Sequence, residues 1–338
     1  MQKHPAKIDV PVLLIFFARP ETFEKVFESV RQARPSTLLL WQDGPREGRE
    51  DDVIGVQRCR EIAENIDWEC TVYKKYNEKN FGCDPSTFYS HKWAFSLVDK
   101  CIILEDDRIP AQSFYPYCKY LLDKYKNDDR INHICGTNLL GDYEACPDDY
   151  FFTPCGSTTW ATWKRVADGW DEKYLSLDDT YHWDCIESLY GKVWRNLWQN
   201  TAMRHRNSGV PYWETILGMD AHLNSRLVII PKKNMVTDIG MTANATHAIA
   251  KSKCLPKVQR DMFNMEAFDV AFPLNEPKHI VADMNYMEKI GRISGVGHPW
   301  LRLWRKVVYV FNCIRFGEFN VISSSVKRKI QRTFKRGK

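Results

Sequence analysis

Glu105, Asp106 and Asp107 stand in an unbroken row at the end of the apolar run Cys101-Ile102-Ile103-Leu104. Three adjacent carboxylates repel one another, and each raises its neighbours' pKa unless a cation or hydrogen bonds compensate. A hard divalent cation, Mn²⁺ or Mg²⁺, suits such oxygen ligands. It is commonly held by one or two carboxylates and completed by phosphates and water. The alternative is a solvated acidic turn. The surrounding elements decide between the two.

Val98 to Leu104 reads as the end of a helix followed by a buried strand, closed by Pro110. The acids then occupy the strand's carboxyl edge, where open α/β sheets bind their ligands. Extended backbone would put Glu105 and Asp107 on one face and Asp106 on the other. Upstream, Val10 to Phe17 is a nearly continuous apolar strand of the kind buried on both faces of a parallel sheet. Ala18-Arg19-Pro20 breaks it, and a helix from about Glu21 carries the stripe Phe23, Val26, Phe27 and Val30. Thr37 to Trp41 is a second strand ending at Asp43-Gly44, Arg49 to Ile66 a helix and Trp68 to Lys74 a third strand. A turn at Asn80-Phe81-Gly82 leads to a helix over Ser86 to Val98. Ser113 to Tyr125 is helical again and Asn132 to Cys135 extended.

Strand alternating with helix at this spacing predicts an α/β fold, a mostly parallel sheet with helices on both faces. Past Gly136 the alternation stops, Trp, Asp and Gly dominate from Tyr150 to Trp213, and a substrate-binding half with fewer long elements is expected. Helices are expected over Thr158 to Val166 and Thr180 to Tyr190, and a strand over Arg226 to Ile230. The expected organisation is a domain over 1–250, with a nucleotide-binding half (1–136) and an acceptor half (137–250). A connecting segment (251–298) and a basic helical appendage with its tail (299–338) follow. In that appendage Trp300, Leu303, Trp304, Val307, Val308, Phe311 and Ile314 share a helical face beside Arg302, Arg305, Lys306 and Arg315. An aromatic face with a basic flank suits an anionic membrane surface. A helix docked on the domain is the alternative.

The chain of 338 residues has 44% hydrophobic content, 12 Trp, 15 Tyr and 17 Phe, a supply of flat surfaces for bases and sugar rings as well as for the core. A net charge of +5 gives no ground for a nucleic-acid partner. The 11 cysteines form no CxxC pair and no compact framework, so reduced thiols in the cytoplasm are expected. The start, Met-Gln-Lys-His-Pro, lacks the apolar core of a signal peptide, and no apolar run approaches the roughly 18 residues of a spanning helix. The expected location is cytoplasmic, with the inner membrane face as a possible docking surface.

There is no GxSxG elbow, no GxxxxGK[ST] loop and no GxGxxG after the first strand. Those absences argue against a hydrolase, a P-loop enzyme and a dinucleotide oxidoreductase. A cation at a strand end that stabilises a departing diphosphate fits what remains. Transfer of a sugar from a nucleoside diphosphate is such a reaction.

Phe17-Ala-Arg-Pro20, Trp41-Gln-Asp-Gly-Pro45, Asn80-Phe-Gly-Cys83, Trp93-Ala-Phe95, Ile103-Leu-Glu-Asp-Asp107, Ser113-Phe-Tyr115, Trp160-Ala-Thr-Trp163 and Asp238-Ile-Gly240 to Thr246-His247 occur in this order. The succession, over roughly residues 8 to 250, resembles bacterial nucleotide-diphospho-sugar transferases of the GT-A fold, related to the N-acetylglucosaminyltransferase I family. The resemblance implies a UDP-sugar donor and Mn²⁺ (or Mg²⁺). It also implies a glycan or lipid-linked acceptor, with a place in surface polysaccharide synthesis. It puts Asp107 on the metal, Asp106 on the donor ribose, Glu105 on the transferred sugar and Asp43 on the uracil ring N–H. A plain Asp-Gly turn is the other reading of Asp43.

Arg19 matches a nucleotide-contacting arginine, and Asn80 belongs with the donor-binding residues. His91 lies one position from a family histidine near the nucleotide, which makes Lys92 an equal candidate for the diphosphate. Counting back from Pro231 to the family's Trp-Asp step gives Trp213-Glu214, with Glu214 as the base and Asp220 as the runner-up. His247 is implied at the metal or diphosphate. Trp160, Trp163, Trp170 and Trp213 are divided between sugar stacking and the core. Two rivals share the fold: a sugar-nucleotide pyrophosphorylase, and an inert membrane-surface binding protein.

Overall fold

The computed structural model describes residues 3–156, 159–241 and 252–319. The first part alternates as the apolar pattern requires: β1 (Ile8–Phe16), α1 (Pro20–Ala33), β2 (Pro35–Gln42), α2 (Glu50–Ala63), β3 (Thr71–Tyr76), α3 (Cys83–Phe95), β4 (Lys100–Glu105), β5 (Arg108–Pro110), α4 (Phe114–Lys124) and β6 (Ile131–Cys135). Then come β7 (Tyr150–Thr153), β8 (Trp160–Trp163), α5 (Lys164–Ala167), α6 (Thr180–Tyr190), α7 (Lys192–Ser208), α8 (Trp213–Leu223), β9 (Leu227–Pro231), β10 (Val236–Asp238), α9 (Lys257–Arg260), α10 (Met284–Ser294) and α11 (Pro299–Arg315).

Eight strands form one sheet in the order β3-β2-β1-β4-β8-β6-β9-β7. The pairs β1·β2, β1·β4, β2·β3 and β6·β9 are parallel, whereas β8 runs antiparallel to β4 and β6, and β7 to β9. This is a mixed, mostly parallel α/β sheet of Rossmann-like type, flanked by helices and carrying a helical C-terminal region. Val12, Leu13 and Leu14 of β1 are fully buried, as a strand covered on both faces must be. Pro20 fits the first turn of α1, where its missing N–H costs nothing, and Phe23, Val26, Phe27 and Val30 bury that helix on the sheet.

The helix expected over Thr158 to Val166 is instead the strand β8 and the single turn α5. Residues 157 and 158 lie outside the described residues. Trp160 to Trp163 are all buried, and both edges of β8 pair, with β4 on one side and β6 on the other. That placement between two strands overrides any local helical preference. The sparse second half expected from composition also proves richer, since α7 alone spans 17 residues.

Topology sets the functional edge. The chain runs outward from β1 through β2 to β3, then returns to place β4 on the other side of β1. The strand order reverses between β1 and β4, with Ile15 opposite Glu105. Open α/β sheets bind ligands beyond the carboxyl ends of the strands at such a switch point. A small antiparallel ladder of β5 and β10 sits just past it, pairing Arg108 with Asp238. The stretch after β10 packs back on the body: Ser113 N–H donates to Asp269 at 2.8 Å, and Lys124 pairs with Glu276 at 2.6 Å. Among the described residues, no helix is long and apolar enough to cross a membrane.

Candidate active site

At the switch point the acid row meets two arginines. Arg19, just beyond β1, bridges the row: its guanidinium pairs with Asp106 and lies 2.9 Å from Asp107. Asp106 is buried and also accepts from the N–H of Phe17 at 3.1 Å. Burial pushes the Asp106 pKa up, and the charge of Arg19 opposes it. Arg108 lies 3.9 Å from Glu105, 3.6 Å from Asp107 and 2.8 Å from Asp238.

Neither Arg108 nor Asp238 was assigned a role from the sequence. Arg108 directly follows the acid row, and Asp238 begins the Asp238-Ile-Gly240 motif, but only the β5·β10 ladder brings them together. The same ladder holds Gly240 against the site, where a Cβ would run into the Asp107 carboxylate. The glycine is required there by close approach.

The charge balance is uneven. Glu105, Asp106, Asp107 and Asp238 face the guanidinium groups of Arg19 and Arg108, so full ionisation would leave two negative charges uncompensated. Part of the relief is protonation: burial pushes Glu105 up to about 8, opposed by Arg108 and reinforced by Asp107, Glu214 and Asp106. Because folding raises this pKa, the folded chain keeps a proton that the unfolded chain releases. The Glu105 contribution to stability therefore falls as pH rises from about 4.5 to about 8. Since 29% of the side chain is still solvated, the effect is discounted to on the order of 1 kcal/mol. Glu105→Gln is expected to match the wild type in denaturant unfolding near pH 4.5 and to exceed it near pH 8 by that amount. A difference independent of pH would contradict the assignment.

One acceptor in the corner is unused. The Asp107 Oδ1 atom is buried without a hydrogen-bond partner, facing an equally unpartnered Arg108 Nε at 3.6 Å. Among the described residues, no group of three or more His, Cys, Asp or Glu side chains is arranged to hold a metal. This side thus offers one carboxylate oxygen in a negative corner.

Glu214 is exposed in the first turn of α8, near enough to Glu105 to raise its pKa. The preceding residue anchors it: Trp213 stacks on Trp160 of β8, ring centroids 5.7 Å apart at 5°. Trp160, Trp163, Trp170 and Trp213 are all at most 6% exposed and leave no free face for a sugar: Trp160, Trp170 and Trp213 gather into a floor, and the Trp163 indole donates to the Leu122 carbonyl of α4.

His91 belongs to that floor. It is fully buried, edge-on to Trp160, Trp170 and Trp213, and neither ring nitrogen has a partner. Burial lowers its pKa to about 3, so it is neutral and out of reach of a donor in this structure. Lys92 points to the surface, 3.8 Å from Glu172.

Asp220 is not beside Glu214. It is buried, accepts from Asn132 and Arg226 at 2.7 Å each and from Asn224 at 3.1 Å, and reads as a structural ion pair. Asp43 is likewise committed to the fold. Its oxygens accept from the N–H groups of Gly44, Phe81 and Gly82 and from the Asn80 side chain, all at 2.9 to 3.1 Å at their closest. Burial nevertheless pushes Asp43 up to about 6. The carboxylate thereby staples the loop after β3 to the end of β2. His247 lies outside the described residues.

No family model and no curated protein matches the chain. Among solved structures it is similar to 4-diphosphocytidyl-2C-methyl-D-erythritol synthase from Anaerococcus prevotii DSM 20548. That likeness has 10% identity and a TM-score of 0.27 over 51% of this chain and 76% of that one. At that level the similarity carries no weight for function, and the site has to be judged on its own chemistry. A surface hollow lined by Lys100, Asp123, Lys164 and Asp168 lies at the amino end of β4 instead. There Lys100 pairs with Asp123 and Lys164 with Asp168.

Proposed function

We propose that the protein is a metal-dependent glycosyltransferase that moves a sugar from a UDP-sugar to a hydroxyl of a glycan or lipid-linked acceptor, with inversion at the sugar carbon. The observation that carries this reading is the negative corner at the β1/β4 switch point, with the unpartnered Asp107 Oδ1 at its centre. A carboxylate oxygen without a hydrogen bond, opposed only by the 3.6 Å ion pair to Arg108, fits a cation that arrives with its ligand, because Mn²⁺ or Mg²⁺ is readily held by one carboxylate, substrate phosphates and water. Asp107 would hold it, and when bound it supplies charge neutralisation at the leaving diphosphate.

The other roles belong to the chain. Arg19, fixed by Asp106 and Asp107, presents a guanidinium to the nucleotide side. Asp106 accepts from the ribose, and the protonated Glu105 donates to a hydroxyl of the transferred sugar. Asp43 and Asn80 shape the base pocket through the loop that they staple. Glu214 takes the proton from the acceptor hydroxyl as its oxygen bonds to the sugar carbon and the carbon–oxygen bond to UDP breaks on the opposite face. No covalent intermediate is needed.

Incubation with a panel of UDP-sugars, Mn²⁺ and simple glycan acceptors tests this reading. Mn²⁺-dependent release of UDP is expected. Formation of UTP from pyrophosphate would identify a pyrophosphorylase, and silence across the panel an inert protein of the same fold.

A further inference from the structure

The last described helix is attached to the body by the wrong side for an ordinary core helix. On α11 the exposed residues are Trp300 (81%), Leu303, Trp304 (64%), Val307, Val310, Phe311 (62%) and Ile314. Their spacing puts them on one stripe. The opposite side makes the attachments. Arg305 donates to the carbonyls of Arg292 and Ile293 at the end of α10, Asn312 donates to the Cys254 carbonyl at 3.3 Å, and Cys313 is buried. Large apolar side chains in water cost free energy, and a contiguous exposed stripe marks a binding face.

The charge around the stripe identifies the partner. α11 contains no acid, and Arg302, Lys306 and Arg315 are exposed, with no ion pair to an acid among the described residues. The sequence after Glu318 adds Lys327, Arg328, Lys329, Arg332, Lys335, Arg336 and Lys338 and no acid. A second copy docked through this face would set like charges against each other. An anionic bilayer meets both features, with tryptophan and phenylalanine at the headgroup boundary and the cations on the phosphates.

Exposed apolar residues also lie on α7, beside the turn that enters α11. Val193 lies 3.4 Å from where a Cβ on Gly297 would stand, in the turn entering α11, and both Val193 and Leu197 are exposed. α7 packs in turn on α8.

We propose that the outer face of α11, together with Val193 and Leu197 of α7, is a peripheral docking surface for anionic lipid. This does not depend on the proposed activity. The test is flotation of the full chain with vesicles of phosphatidylcholine alone or mixed with phosphatidylglycerol. Binding to the mixed vesicles only is expected. Trp304→Glu combined with Phe311→Glu should lower the bound fraction by about tenfold or more with circular dichroism unchanged, because both residues already face water. Brominated acyl chains should quench the wild-type tryptophan fluorescence, a readout that needs no variant. Binding unchanged in the double variant would assign attraction to the basic tail alone and overturn the proposal. Absence of vesicle binding would overturn it too, as would a dimer that the variant abolishes.

Discussion

Asp107→Asn is expected to lower Mn²⁺-dependent UDP release by about 10³-fold while leaving the folded state intact. The substitution keeps the size of the side chain and removes the charge that would hold the cation. It also removes one negative charge from a corner that carries more acids than cations, and Arg19 keeps Asp106 as its partner. Stability is therefore expected to hold or rise slightly, which separates the loss of turnover from unfolding. The measurement is UDP release at saturating donor, with thermal unfolding of the same preparation. Full activity in the variant would remove Asp107 from the metal and with it the assigned division of labour among the three acids.

The second large effect is on the fold that shapes the site. A Cβ on Gly44 would stand 2.6 Å from backbone atoms of Glu78 and Lys79, and backbone cannot swing aside as a flexible side chain can. Gly44→Ala must push apart the loops after β2 and β3, and those are the loops that Asp43 holds together through Asn80, Phe81 and Gly82. Overpacking of this kind costs about 3 kcal/mol. Denaturant unfolding should show the midpoint shifted down with the slope unchanged, together with weaker UDP binding. The same alanine at Gly48 meets no atom within 4 Å, though its backbone lies at φ +72°, so it should cost only the smaller strain of that conformation. Equal losses at the two positions would show that contact with the β3 loop is not what constrains Gly44.

Much of this architecture was legible in the residues. The continuous apolar runs of β1, β2 and β4 announce strands buried on both faces, and the abrupt change from Leu104 to Glu105 marks a strand's carboxyl edge. The reading of α11 as a single apolar face came from spacing alone and matches the exposed stripe, apart from the half-buried Val308. What could not be read was non-local. Nothing near Trp160 says that β8 slots antiparallel between β4 and β6. Arg108 and Asp238 become partners only through the β5·β10 ladder. The spacing that put His91 near a nucleotide could not reveal three tryptophans closing around it. Asp220 stood as the runner-up base to Glu214, yet Asn132 of β6 and Arg226 claim its carboxylate. Asp43 carried two readings, and its hydrogen bonds favour the turn: the carboxylate ties the loop after β3 to the end of β2.

The most direct test of the acid corner needs no knowledge of the sugar or the acceptor. Calorimetric titration of UDP into the wild type and into Asp107→Asn, each with and without Mn²⁺, isolates the metal-assisted diphosphate site. UDP affinity in the wild type is expected to rise at least about tenfold with Mn²⁺ and the gain to vanish in the variant. UDP binding that is indifferent to Mn²⁺, or that gains equally in both proteins, would contradict the assignment of the β4 acids to a nucleotide-sugar site.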